Sequence, residues 1–253
     1  LLNSLQPSLI VNPAAYTAVD QAEADRQTAF DINAELPARL ARWAKRNDAR
    51  LIHYSTDYVF DGQADIPYQE SDAPAPLSIY GESKLAGERA IEAEDCDHVT
   101  LRTSWVYSSR GKNFVLSMLK LARGDAPLKI VDDQQGCPTW ARNLALASQA
   151  VIERWLAPES ENSKGIFHYC DDRSMSWYEF SREIFRAAVE AGLLERQPDV
   201  VAIRSSEYPQ PAKRPEWSVL NTARIGKVFN FYPASFKQAL KAVLGEVSER
   251  GLI

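Results

Sequence analysis

Tyr80 and Lys84 stand four residues apart in the stretch Ser78-Ile79-Tyr80-Gly81-Glu82-Ser83-Lys84. On a helix the two side chains share one face, one turn from each other. A lysine ammonium beside a phenol favours the phenolate, so it would draw the tyrosine down from its usual pKa of about 10 toward working pH. There a phenol serves as a proton donor or acceptor. The pair alone is weak evidence, because surface helices carry such pairs by chance. Upstream, Leu51-Ile52-His53-Tyr54-Ser55-Thr56-Asp57 begins apolar and ends in two hydroxyls and a carboxylate. It reads as a buried parallel strand with Ser55, Thr56 and Asp57 at its carboxyl end, where ligands of open α/β sheets bind. A hydroxyl there can also close a turn or cap a helix. Followed by a helix that carries Tyr and Lys on one face, it reads better as part of a proton-transfer site.

The flanking sequence supplies elements of the right kind to hold these groups. Ser8 to Asn12 is a short apolar strand stopped by Pro13, and Asp20 to Asp31 and Glu35 to Arg46 read as two helices, the second with Leu36, Leu40, Trp43 and Ala44 at helical spacing. Asp61 to Pro76 is a Pro/Asp/Gly loop, Ile79 to Glu94 the helix of Tyr80 and Lys84, and Val99 to Tyr107 one further strand. Asn113 to Arg123, Arg142 to Leu156, Ser176 to Ala191 and Ser235 to Val247 read as helices, with Leu128 to Val131 and Ile166 to Tyr169 as strands. Ser176 and Glu179 form a capping box. This alternation predicts an α/β protein with a doubly wound parallel sheet. After Pro127 it becomes less regular and prolines crowd the loops, which places a smaller second lobe there.

The 253 residues, 45% hydrophobic and 25% charged, are enough for one large domain or a cofactor domain with a smaller partner. The net charge of −5 and the lack of a Lys/Arg block argue against a nucleic-acid partner. No apolar run reaches the roughly 20 residues of a membrane span, and no secretory pattern is present. Cys96, Cys137 and Cys170 are few and widely spaced, read as buried reduced thiols of a cytoplasmic protein. His53, His98 and His168 have no metal-ligand spacing and read as structural, so no metal ligand is assigned. The first glycine is Gly62, and no G-x-G-x-x-G occurs; either the fold is of another kind, or its first βαβ piece lies outside this sequence.

Taken together these residues resemble the dTDP-4-dehydrorhamnose reductase family of the extended short-chain dehydrogenase/reductases. The resemblance runs nearly end to end: Val11 to Asp20 with Glu23, His53 to Gly62 (HYSTDYVFDG), Pro76 to Glu88 (PLSIYGESKLAGE), Leu101 to Tyr107 (LRTSWVY), Asn113-Phe114, Asp133 to Thr139, Arg214-Pro215 and Leu220-Asn221. STDYVFDG followed by YGxxKxxGE is specific for this family among its relatives. Pro13 departs from it, standing where a small residue is usual. The resemblance implies a Rossmann-like parallel sheet whose first βαβ portion, with the glycine-rich turn, would precede Leu1. Residues 1–126 would then be an N-terminally incomplete cofactor domain. Residues 127–253 would be mainly a substrate lobe, interleaved with the sheet domain.

The implied chemistry is reduction of C4 of a dTDP-4-keto-6-deoxy sugar by NADPH or NADH, giving dTDP-L-rhamnose. Tyr80 would protonate the developing alkoxide, Lys84 would lower the tyrosine pKa and bind the nicotinamide ribose, and Thr56 would polarise the carbonyl. Ala14, Ala15, Tyr16 and Thr17 would line the cofactor. Asp57, Trp105, Asn113 and Arg214 would face the nucleotide sugar, with Gln134 and Thr139 as further candidates; an Arg suits a pyrophosphate through its bidentate fork. A Trp at a strand end is otherwise more often core. The resemblance also implies a homodimer and associates Mg2+ with a subunit contact, without identifying ligands here.

Two rivals share the fold. A sugar-nucleotide 4,6-dehydratase or epimerase typically follows its Thr with an Asp-Glu pair, whereas Thr56-Asp57 is followed by Tyr58 and Val59. A non-catalytic subunit, like the regulatory subunit of methionine adenosyltransferase, would have no need of Thr56, Tyr80 and Lys84 together.

Overall fold

The computed structural model describes residues 1–124, 126–157 and 163–251. The chain begins with α1 (Leu2–Leu5), β1 (Leu9–Asn12), α2 (Val19–Ala22), α3 (Arg26–Phe30), α4 (Leu36–Arg46), β2 (Arg50–Thr56), α5 (Ile79–Glu94) and β3 (His98–Thr103). It continues with β4 (Val106–Tyr107), α6 (Phe114–Leu121), β5 (Leu128–Val131), β6 (Gln135–Gly136), β7 (Thr139–Trp140), α7 (Ala141–Leu156), β8 (Gly165–His168), β9 (Met175–Ser176), α8 (Trp177–Glu190), β10 (Val200–Ile203), α9 (Ala223–Phe229) and α10 (Phe236–Glu249).

The main sheet has the order β1-β2-β3-β8 and is parallel throughout. Apolar residues on both faces of β2 bury it twice over, as the apolar run predicts. Leu51 packs with Ala41, Ala44 and Ile91 of α4 and α5. Ile52 belongs to a second cluster with Val99, Leu101, Leu144, Val151, Phe167, Ile225 and Phe229, which brings α7 and α9 onto the other face. The sheet is therefore doubly wound. A separate core joins α6, α8 and α10 through Met118, Phe180, Ile184, Phe236, Leu240 and Val243, beside the small parallel pair β5–β10.

Three local readings change. The two helices expected between Asp20 and Arg46 become a nearly unbroken helical run, because a π-helical segment, Asp31–Glu35, joins α3 to α4. Such bulges keep the chain helical while shifting its face, and this one points Asn33 at Tyr16. The single strand expected from Val99 to Tyr107 breaks after Thr103, since Trp105 takes a left-handed φ of 47° and β4 leaves to pair with β7. Strand β10 and helix α9 were not anticipated. Their short apolar runs carry too few residues for periodicity to distinguish them.

Helix α5 lies along one face of the sheet, its N-terminal turns reaching the carboxyl-end cleft, and tight contacts hold it there. Ser78 caps it, its Oγ accepting from Gly81 N at 3.2 Å. At Gly87 any Cβ would collide with the Asn33 carbonyl, so only glycine lets α5 approach the π-helical segment this closely. Glu88 accepts from Arg102 of β3 at 3.0, 3.2 and 2.7 Å, both side chains being almost wholly buried. Removing one partner of such a pair leaves a buried charge uncompensated. Glu88→Ala is expected to destabilise the protein by about 3–5 kcal/mol, read from urea unfolding by circular dichroism.

Candidate active site

At the carboxyl ends of β2 and β3 a cleft of about 650 Å³ opens. Thr56, Asp57, Tyr80, Lys84, Trp105, Ala15 and Thr17 line it, and so do Ser55, Thr103, Lys112 and Trp177. The fold thus gathers the groups that sequence reading put at a strand end and on a helix face.

Thr56 Oγ1 accepts from Tyr58 N at 3.1 Å and donates to Asp57 Oδ1 at 3.0 Å, while Ser104 Oγ donates to Asp57 Oδ2 at 3.0 Å. Burial pushes the Asp57 carboxyl up to about 6, partly opposed by its bonds from Ser218, Ser104 and Thr56. Burial brings the Lys84 ammonium down to about 8 against a weaker upward pull from Glu88. Its Nζ sits 2.5 Å from the Tyr54 carbonyl oxygen and 3.2 Å from His53 Nε2.

Tyr80 corrects one expectation. Its phenol is pushed up to about 12, not down: desolvation dominates, the Thr56 hydroxyl lowers it, and the Asp57 charge raises it further. Lys84 is spent on Tyr54 and His53 and exerts no resolved pull on the phenol. The free protein therefore holds Tyr80 as a proton donor. His53, read as structural, also contacts Lys84; its place on the strand three residues before Thr56 gave no signal of that. His98 and His168 bond the carbonyls of Cys96 and Tyr68.

Trp105 lies face to face with Trp177, the centroids 3.5 Å apart and the planes within 7°. A Cβ on Gly136 would come 2.6 Å from the Trp105 Nε1, so glycine makes room for the indole. Trp177 and Lys112 were missed. Trp177 reads from sequence as the first residue of an amphipathic helix, and Lys112 as a loop charge beside Asn113; only the fold turns them to the cleft.

The remaining candidates lie elsewhere. Ala14 contributes its backbone N–H to Asn12 Oδ1 at 3.3 Å, and Tyr16 is clasped through its backbone by Asn33. Asn113 caps α6, its Oδ1 accepting from Leu116 N at 3.2 Å and its Nδ2 holding the carbonyls of Ser108 and Arg110. Arg214 forks onto Asp20 at 3.0 and 2.8 Å. Gln134 bonds Ser205 and receives the Trp177 indole N–H at 3.2 Å. Thr139 donates to the Cys137 carbonyl. Among the described residues no group of three or more His, Cys, Asp or Glu side chains converges as a metal site would, and no helix is long and apolar enough to cross a membrane.

A nicotinamide cofactor fits the cleft on two counts. Ser55 Oγ and Thr103 Oγ1 are buried and unpartnered on its floor, and buried hydroxyls of this kind call for a ligand atom. Small residues at Ala15 and Thr17 leave room for a flat ring. A parallel sheet with a hydroxyl–tyrosine–lysine cleft at its carboxyl ends defines a protein of the short-chain dehydrogenase/reductase type.

The comparisons make this specific. Residues 1–249 match the family model described as RmlD substrate binding domain, and the chain belongs to this family. It is 39% identical over 246 residues to a dTDP-4-dehydrorhamnose reductase of Escherichia coli K12, covering 97% of this chain and 82% of that protein. Among solved structures, a dTDP-4-dehydrorhamnose reductase of Clostridium acetobutylicum superposes with a TM-score of 0.88 at 36% identity, over 98% of this chain and 83% of that one. One from Bacillus anthracis, in complex with NADP, gives 0.87 at 32% identity over 97% and 83%.

Asp57 yields a test. Its folded pKa is raised, so the folded state binds a proton more tightly between about 3.8 and about 6. Stability contributed by this group is full below that window and lost as pH rises through it. Asp57→Asn is expected to raise stability at pH 7 by about 1–3 kcal/mol, with the gain vanishing in acid below the window, measured by denaturant unfolding across pH.

Proposed function

We propose that this protein reduces dTDP-4-dehydro-6-deoxy-L-mannose to dTDP-L-rhamnose with NADPH or NADH. The observation that carries the reading is the convergence of Thr56, Tyr80 and Lys84 on one cleft, in a chain 39% identical to a reductase of that name. The reduced nicotinamide, when bound, supplies hydride to the sugar carbonyl carbon. Ser55, Thr103, Ala15, Thr17 and Lys84 would hold that cofactor, with Ala14 and Tyr16 fixing the path of the segment between them.

The protein's own part is acid catalysis. Tyr80, kept protonated by burial, gives its proton to the oxygen that becomes the alcohol. Thr56 polarises that oxygen; its hydroxyl proton, held by Asp57 in the free protein, turns to the substrate when the carbonyl arrives. A Lys84 ammonium offsets the charge left on the phenol. Trp105 and Trp177 form a flat apolar wall for the sugar nucleotide, while Lys112 supplies the charge at the cleft that suits a diphosphate. Asn113 caps the helix whose Phe114 packs on Trp177, and Arg214 ties its loop to Asp20. Asp57 is followed by Tyr58 and not by a second carboxylate, which disfavours dehydration.

A spectrophotometric assay of NADPH consumption with the dTDP-4-keto sugar decides the matter. Tyr80→Phe is expected to lower kcat by about 10²–10⁴ and Thr56→Ala by about 10²–10³. Turnover unaltered by Tyr80→Phe sinks the reductase reading. A second expectation concerns pH. The ammonium of Lys84 is lost as pH rises through about 8, so kcat should fall above that value and Lys84→Met should abolish this limb. Stability moves oppositely: the unfolded lysine, at 10.5, binds its proton more tightly, so the burial cost of this charge is relieved as pH rises from about 8 toward 10.5.

A further inference from the structure

Lys84 ends a chain of polar contacts that begins in the backbone of the Pro13–Thr17 segment. Ala14 N donates to Asn12 Oδ1 at 3.3 Å. The other arm of that amide, Nδ2, lies 3.1 Å from His53 Nδ1. His53 Nε2 lies 3.2 Å from Lys84 Nζ, which is also 2.5 Å from the Tyr54 carbonyl oxygen. Asn12 and His53 are buried, and Lys84 is all but closed to solvent.

The donors and acceptors along this chain admit two arrangements. With Ala14 N–H on Asn12 Oδ1, the amide presents its NH2 to His53, so Nδ1 is an acceptor and carries no proton. A neutral imidazole then carries it on Nε2, and Nε2–H points at Nζ. Lys84 can accept that bond only as the free amine, its own N–H donating to Tyr54. In the other arrangement Lys84 is an ammonium and donates to both Tyr54 O and His53 Nε2. The ring proton now sits on Nδ1, and Asn12 must offer an oxygen, either by turning its amide over and releasing Ala14 N–H or through its backbone carbonyl, which lies near the ring and favours its protonation.

We propose that His53 is a positioning residue whose tautomer sets the charge on Lys84 and, through Asn12, couples that charge to the Pro13–Thr17 segment of the cleft. This rests on the reading of Lys84 as the active-site lysine. Passage between the states is balanced: one solvent proton arrives at Nδ1, the Nε2 proton passes to Nζ, and the ring remains neutral. Imidazolium is disfavoured, because burial and the neighbouring Lys84 and His98 hold the His53 pKa well below its usual value. A ligand oxygen that takes the Ala14 N–H frees the Asn12 amide to turn, and so favours the ammonium at the moment the cleft is filled. The other groups around this chain are Glu88 and Tyr80 on α5, Asp57 and Tyr58 after β2, and His98 and Arg102 on β3. Glu88 still pulls the Lys84 pKa upward, but its oxygens are taken by Arg102, which leaves His53 and the Tyr54 carbonyl to bond Nζ.

The test reads the tautomer directly. The chain has three histidines, so long-range 1H–15N spectra of the labelled protein resolve each ring, with His53 assigned by elimination using His98→Asn and His168→Asn. The Nε2–H tautomer is expected above about pH 8, where Lys84 is an amine, with a crossover to Nδ1–H below it. The crossover is expected to be absent in Lys84→Met. A single tautomer across the range, an imidazolium in place of Nδ1–H, or a crossover that persists in Lys84→Met overturns the proposal. These spectra need no turnover, so they remain decisive even if the reductase reading fails. In the kinetic arm, His53→Gln is expected to shift the Lys84 limb of the kcat profile by about one pH unit, a tenfold change in ionised fraction, with KM for the nucleotide sugar nearly unchanged. A uniform loss at every pH with no shift of the limb assigns His53 a structural role and counts against it.

Discussion

The buried Arg102–Glu88 pair is the constraint on which the site depends. Glu88 lies one helical turn beyond Lys84 on α5, and Arg102 lies at the carboxyl end of β3. Their three hydrogen bonds fix the helix against the sheet in both rotation and height. Arg102 also stacks over Phe60, 5.1 Å from its centroid, which ties in the loop that follows Thr56. Desolvating two charges is costly, and well-packed apolar residues could hold the same elements together as strongly. Bidentate hydrogen bonds add a directionality that apolar contacts lack. That geometry sets Tyr80 and Lys84 opposite Thr56.

The electrostatics of the cleft follow from the same burial. Low polarity keeps Tyr80 protonated, weakens the Lys84 ammonium and lifts the Asp57 carboxyl into the near-neutral range. Each shift disfavours the charged form. In the free protein these groups bond to one another and to the backbone: Thr56 to Asp57, Lys84 to Tyr54 and His53. Ser55 and Thr103 have no partner at all. The free cleft is thus a set of groups held near their working positions, completed by a ligand that brings the missing acceptors and charge.

Much of this was legible in the residues. The strand ending in Ser55-Thr56-Asp57 and the helix of Tyr80 and Lys84 could be placed because apolar runs, caps and periodicity are local signals, and proximity of the two follows from the rule that α/β sheets bind at their carboxyl ends. The pKa of Tyr80 was misjudged because pairing on a helix face says nothing of what else competes for the lysine. Asn113 and Arg214 are suited by type to a diphosphate. In the fold they serve a helix cap and an ion pair with Asp20, a residue far off in sequence whose position no local pattern reveals.

Although the π-helical junction, the break after Thr103, β10 and α9 stayed hidden, the residues alone revealed most secondary elements, the parallel doubly wound arrangement and the side chains proposed to react. These rest on short-range patterns of apolarity, on β-then-α alternation and on motifs within a few residues of one another. Which charges meet depends on how the elements pack. Burial of Lys84, its contact with His53, the stacking of Trp105 on Trp177 and the turn at Trp105 that makes it possible all join residues from different strands and helices. Desolvation is a property of everything that surrounds a group, so the protonation state of the site became readable only once the chain had closed around it.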